Sequence, residues 1–227
     1  VTGRPSAVRD VTRQVQALMD ALLVEEHTAA AEIESGLRGY AVTLTERVIA
    51  AGPTRRKLRA AIPRLLPTTE QVLGIAGPPV AQLLAVSRER TLPVIGRQLR
   101  AYQQVVGPHA VGASTRGTLA AQEIATELEG HYYAAACSAI GAAVAGVVTA
   151  MTQQVGVWAV RPAELAPELA RRWCSEDLVR LPGAPGRGVL WQMRSVCTAR
   201  AREASVSVVN GLLIAGYEGW NRAAAAS

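Results

Sequence analysis

The side chains best suited to chemistry are a basic run, one carboxylate and imidazole series, and three scattered thiols. Arg55, Arg56, Lys57, Arg59 and Arg64 form the densest positive cluster. Cations spaced along a short helix neutralise phosphates without reading bases, so this run is the candidate nucleic-acid-binding set. Arg88, Arg90, Arg97 and Arg100 offer a second row, with Tyr102 as the nearby aromatic. The same arginines are equally suited to pairing with the acidic residues Glu25, Glu26, Glu32, Glu34 and Glu46 upstream. No zinc-finger or RNA-recognition signature accompanies them, so any nucleic-acid contact is expected to be non-specific.

Glu123, Glu127 and His131 recur at four-residue steps, which places all three on one helix face. A carboxylate and imidazole so related can hold a metal or share a proton. Leu128 occupies the position where the Glu-x-x-His of di-iron bundles needs its glutamate, and a solvated face is expected instead. Nucleophilic catalysis needs a Ser or Cys beside a base; the histidines are His27, His109 and His131, and no G-x-S-x-G elbow presents a serine. The Gly-rich stretch 183 to 188 lacks the G-K-[ST] ending of a phosphate-cradling loop and reads as a linker. Cys137, Cys174 and Cys197 lie too far apart for zinc-ligand spacing, and an odd number argues against a disulfide framework. Reduced, mostly buried thiols are the expectation. A binding or assembly protein without catalytic residues, metal or cofactor is therefore expected, rather than an enzyme.

The scaffold that positions these groups is legible in composition. Apolar residues make up 49% of the 227 positions, enough to bury a core and to exclude a disordered chain. Aromatics are only 4%, with no Phe, so the core must pack through close approach of small side chains, which favours long helices. The formal charge is +6 and Lys57 is the only lysine. Such Arg, Ala, Gly and Val usage suggests a GC-rich coding sequence, as in an actinobacterium or one of its viruses. The first thirty residues lack the continuous apolar core of a signal peptide, and cytosolic assembly is expected.

Val11, Val15, Leu18 and Leu22, then Ala30, Ile33, Leu37, Tyr40, Leu44 and Val48, follow the period of one helix face. One long helix over residues 6 to 51, or two joined near Thr28, is predicted, ending at Gly52-Pro53. Seven prolines between Pro53 and Pro108 predict short helices joined by corners, with Thr68 and Gln71 spaced as a capping box. A second long helix is predicted from Thr115 to Trp158. Its centre, Ala134 to Met151, reads AAACSAIGAAVAGVVTAM without a charge. Length makes it a membrane-span candidate, but it is Ala- and Gly-rich without basic anchors close by, so a helix buried on all sides is expected. A helix over Ala163 to Cys174, a loop at 181 to 188 and a final helix over Val189 to Arg222 complete the chain. Val196, Val206, Val209, Leu213 and Tyr217 are the candidate buried positions of that last helix. The expected fold class is all-α: long helices with an Ala/Gly-rich buried central helix and a Pro-interrupted segment of short helices. Residues 1–114 are expected to form an N-terminal part of one long helix plus the short-helix segment, and 115–227 a hairpin-like helical C-terminal part, with one continuous domain as the alternative.

The last helix contains Ala201-Arg202-Glu203 and, further on, Val209-Asn210-Gly211 and Tyr217. This pattern resembles the helical signature of tailed-phage minor head proteins of the Mu F-like type, where an Ala-Arg-Thr-Glu start leads to an Asn followed by a small residue and then a Tyr. Ala201, Arg202, Val209, Asn210 and Tyr217 match; Ala204 stands where the family has Glu, and Ser207 where it has Arg. The resemblance implies a structural or head-morphogenesis protein of a virus or phage particle, portal-proximal or capsid-associated, assembled in the host cytoplasm and found in the virion. Homo-oligomers, portal or capsid proteins, and packaged nucleic acid are the implied partners. The alternative is an Arg-rich nucleic-acid-binding nucleocapsid or matrix-like protein. On physical grounds, Asn210 within an apolar helix must find a hydrogen-bond partner if buried and can then fix helix register. Gly211 beside it permits close approach of a neighbouring helix, and Asn210, Gly211 and Tyr217 are the candidate protein-interface or helix-register residues.

Overall fold

The three-and-four stepping of the first fifty residues is realised as one uninterrupted helix, α1 (Arg4–Ala50), without a joint at Thr28. The Thr28 hydroxyl donates to the Val24 carbonyl at 3.0 Å, one turn back along the same helix. The fold comes from a computed structural model describing residues 4–52, 54–154, 161–174 and 189–226. Among these it is all-α, with α2 (Arg55–Leu65), α3 (Thr69–Val106), α4 (Ala113–Gln154), α5 (Pro162–Cys174) and α6 (Val189–Ala225) following α1. The predicted loop at 181 to 188 lies outside the described residues.

Local signals set the helix ends. Gly52 takes φ 94°, a left-handed conformation open to a residue without Cβ, and its N–H donates to the Ile49 carbonyl as α1 stops. Thr68 and Gln71 form the expected capping box: the Gln71 N–H donates to the Thr68 hydroxyl at 3.2 Å, and the Thr68 N–H to the Gln71 side-chain oxygen at 3.0 Å. Thr54 caps α2, accepting from the Lys57 N–H. Pro162 opens α5, where its missing N–H costs nothing.

The expectation of short helices between 53 and 114 is corrected by α3. Pro78, Pro79 and Pro93 lie inside one helix of 38 residues. Each removes a hydrogen bond to the carbonyl four residues back, those of Gly74, Ile75 and Glu89. Val72, Ala76, Val80, Leu83 and Leu84 nevertheless continue one buried stripe across Pro78 and Pro79. Burying that stripe outweighs the local cost, which a proline count cannot register.

The expectation of a central helix buried on all sides is also corrected. In α4, Ala136, Ile140 and Val144 are buried at four-residue steps, whereas Ala134, Ala135, Ser138, Ala142 and Ala145 are exposed. Between 134 and 146 the helix buries this one stripe and leaves small side chains half-buried or exposed around the rest. Among the described residues, no helix is long and apolar enough to cross a membrane.

The chain groups into two compact units, to which α1, α3, α4 and α6 each contribute a part. One comprises 30–79 and 137–200. Its core includes Ile33, Leu37, Leu44, Leu58, Ile62, Ile140, Leu165, Leu169 and Met193, and α2 packs on α5 within it. The Tyr40 hydroxyl donates to the Leu65 carbonyl at the end of α2. The other unit comprises 1–29, 80–136 and 201–227. There α4 and α6 meet backbone to backbone: a Cβ on Gly117 would stand 2.5 Å from the Gly216 carbonyl oxygen and 2.6 Å from Leu99 Cδ1. A Cβ on Gly219 would stand 2.7 Å from that of Ala120. Gly117→Ala is expected to cost about 2 kcal/mol or more, a fall in Tm of roughly 4–8 °C. Gly130→Ala on the same helix meets nothing within 4 Å and should be neutral or stabilising; thermal denaturation followed by helical circular dichroism checks both.

Candidate interaction surfaces

In the unit built from 1–29, 80–136 and 201–227, α4 and α6 use glycines to come close, and a polar pair joins α3 to α6 in the interior. Ser87 on α3 and Ser205 on α6 are both fully buried, with their hydroxyl oxygens 2.9 Å apart. Ser87 donates its one proton to the Leu83 carbonyl at 2.7 Å, so Ser205 is the donor to Ser87. Sliding α6 along α3 breaks this bond and strands a buried hydroxyl, which makes the pair a register lock.

The sequence offered that role to Asn210 on condition that it is buried. Asn210 is exposed, whereas Gly211 beside it faces α4, its missing Cβ lying 3.0 Å from Leu128 Cδ1. Tyr217 is half-buried, its ring 5.7 Å from that of Tyr102 in an edge contact, and Tyr102 in turn lies 4.8 Å from Trp220. Burial, then the neighbouring Tyr102, raises the Tyr217 phenol above its ordinary range. Of the expected buried positions on α6, Val209 is buried, Val196 and Leu213 are half-buried and Val206 is exposed. The buried seam instead runs through Met193, Cys197, Ala201, Ala204, Ser205, Val208 and Leu212 to Trp220.

The exposed side of this unit carries an apolar patch. Leu18 and Leu22 of α1 pack with Val209 and Leu213 of α6, and Arg202 of α6 reaches Glu26 of α1 at 3.3 Å. Contact positions therefore descend on α1 as they ascend on α6, so the two helices run antiparallel. In an antiparallel pair of right-handed helices, a one-residue step from the seam turns both outward on the same side. Those outward residues are Met19 and Leu23 on α1 and Asn210 and Ile214 on α6, with Val15 and Val206 one turn further along each stripe. The five apolar ones are 38 to 59% exposed and lie along two neighbouring helices.

The second surface is the outer face of α2. Leu58, Ile62 and Leu65 bury one side of the helix, which turns Arg55, Arg56, Lys57, Arg59 and Arg64 to the exposed side. Among the described residues, no carboxylate lies within salt-bridge reach of Arg56, Lys57, Arg59 or Arg64. In the second basic row Arg97 and Arg100 are exposed as well, but the other two arginines behave differently. Arg88 binds Glu129 at 2.7 Å and Arg90 binds Glu25, so these two arginines neutralise carboxylates of their own chain. Arg194 likewise reaches Glu34 at 3.0 Å. Burial raises the Glu26 carboxyl, with Arg202 acting against it.

Glu123, Glu127 and His131 share the exposed face of α4, and among the described residues no group of His, Cys, Asp and Glu side chains could hold a metal ion. Cys197 is fully buried, and burial pushes its thiol up to about 11, so it is protonated and inert as a nucleophile at neutral pH. Cys137 is half-buried and free. Sequence reading missed Ser87, Ser205 and the patch; Val15 and Val206 fit the apolar period but lie outside the core.

Compared with protein-family models, curated proteins and solved structures, the chain matches none.

Ser205→Ala removes the donor to Ser87 and is expected to cost about 1 kcal/mol, whereas Asn210→Ala, melted at a dilution where the chain is monomeric, should cost nothing. Equal losses in the two variants would contradict this assignment of register. Alkaline titration tests the buried thiol. The folded pKa of Cys197, about 11, lies above its ordinary 9, so its stabilising contribution is complete below pH 9 and is lost as pH rises through 11. Cys197→Ala should therefore flatten the fall in stability across that interval by up to about 1.4 kcal/mol per pH unit.

Proposed function

We propose that this chain is a structural assembly protein of a virus or phage particle, associated with the capsid or portal, and that it acts through protein–protein contacts rather than catalysis. The observation that carries this reading is the patch of Val15, Met19, Leu23, Val206 and Ile214 around Asn210, an apolar surface with a polar centre on a rigid helical support. Such patches mark places where another molecule covers apolar surface. The Mu F-like resemblance points the same way, because Ala201, Arg202, Val209, Asn210 and Tyr217 lie on the helix that supplies half of the patch. Its partners in this reading are copies of itself or capsid and portal proteins, in the virion after assembly in the host cytoplasm.

A second reading rests on a different observation, the cationic face of α2. Five basic side chains on one exposed face suit non-specific contact with phosphates, as in a nucleocapsid or matrix-like protein, or with nucleic acid packaged beside an assembly protein. The readings differ in their salt response. Light scattering of the purified chain, with nucleic-acid content read from absorbance, should show a nucleic-acid-free oligomer that persists at high salt, because apolar burial is not screened. A monomer that recruits nucleic acid only at low salt, and loses it on changing Arg55, Arg56 and Arg59 to Ala, would replace the first reading with the second.

A further inference from the structure

In the unit that holds the patch, α1 and α3 each carry a side-chain amide that the fold encloses. Gln14 on α1 is half-buried, and its Oε1 is shut off from solvent without a hydrogen-bond partner among the described residues. Gln98 on α3 is 3% exposed, and its Nε2 is likewise enclosed and unpartnered. The first atom is an acceptor and the second a donor. Helix packing sets the two at the same level. Glu25 of α1 pairs with Arg90 of α3, and further down α1 Leu22 and Leu18 share an apolar cluster with Val94. Positions fall along α1 as they rise along α3, so the helices run antiparallel. One further turn carries α1 from Leu18 to Gln14 and α3 from Val94 to Gln98, each on the same face as the residue before it.

We propose that an ordered internal water joins Gln14 to Gln98, accepting from the Gln98 amide and donating to the Gln14 side-chain oxygen. A donor and an acceptor that stand level on neighbouring helices, beyond direct hydrogen-bond reach, are the usual place for a bridging water. An internal water commonly makes about three hydrogen bonds. Two come from these side chains, and its second proton has a helix carbonyl to go to, because a carbonyl oxygen keeps a second lone pair. Without the bridge, two buried polar groups lie unpaired between the same two helices, each costing its desolvation with no bond to offset it. The site bears on the exposed surface as well. The large apolar side chains that α1 buries in this unit are Leu18 and Leu22. A bridge one turn before Leu18 adds a fixed point, and so holds the height and rotation of α1 that turn Val15, Met19 and Leu23 outward. This inference concerns the support of the patch and stands whether or not a second molecule covers it.

Cross-relaxation between water and the side-chain amide protons of Gln98, measured by NMR on the isotope-labelled chain, should show a long-lived water in contact with them. No such contact overturns the bridge. Stability gives an independent reading. Methionine is unbranched and close to glutamine in length, but carries no N–H or C=O to leave unpaired. Gln14→Met and Gln98→Met should each lower the melting temperature by several degrees, because each strands the opposite amide together with the water. The double variant should melt above both single variants, since two apolar side chains close the site without water. Effects that simply add in the double variant, whatever their sign, overturn the bridge, because that is how two separately unpaired groups behave. The NMR measurement uses the wild-type chain and decides the matter where a variant fails to fold.

Discussion

The constraint on which the unit holding the patch depends is the backbone approach of α4 and α6 at Gly117, Gly216 and Gly219. Where a carbonyl oxygen occupies the space of a side chain, neither helix can rotate or slide without a clash. That fixes the rotation of α6 about its own axis. The rotation decides that Ser205 turns inward to Ser87 and that Trp220 turns inward, Tyr102 packing against its ring. It equally decides that Val206, Asn210 and Ile214 turn outward. The outward apolar surface is thus a consequence of how tightly the inner surface is packed. An Ala- and Gly-rich helix has few large side chains, and a rotation committed by glycines leaves some of them outside.

Local patterns were legible in the sequence because local physics determines them. The glycine after α1, the Thr68 and Gln71 capping box and the two faces of α2 each follow from residues within a few positions of one another. The prolines of α3 misled for the same reason. Their cost is local, but it is outweighed by a buried stripe whose value depends on helices distant in the chain. Ser87 and Ser205 are 118 residues apart and have no pattern that joins them. Asn210 stood out as a polar residue in an apolar stretch, yet its orientation could not be read, because helical period identifies a stripe without saying which stripe meets a neighbour.

Charge divides into two kinds by the same logic. Arg88, Arg90, Arg194 and Arg202 lie near glutamates of their own chain, where half-exposed ion pairs each contribute modestly to stability and orient the helices that carry them. The α2 cations point away from their own apolar anchors, Leu58, Ile62 and Leu65, and leave a dense positive surface. A chain with an exposed apolar face and a cationic face has the chemistry to meet both a protein and a polyanion. The apolar face is the more informative of the two, because uncovered apolar area is costly in water and a solvated arginine is not.

The claim that the apolar patch on α1 and α6 is a protein contact is tested most directly by a photoreactive phenylalanine analogue placed at position 210. Irradiation of the purified chain should give a cross-linked species containing more than one copy. Products linked only within one chain would contradict it.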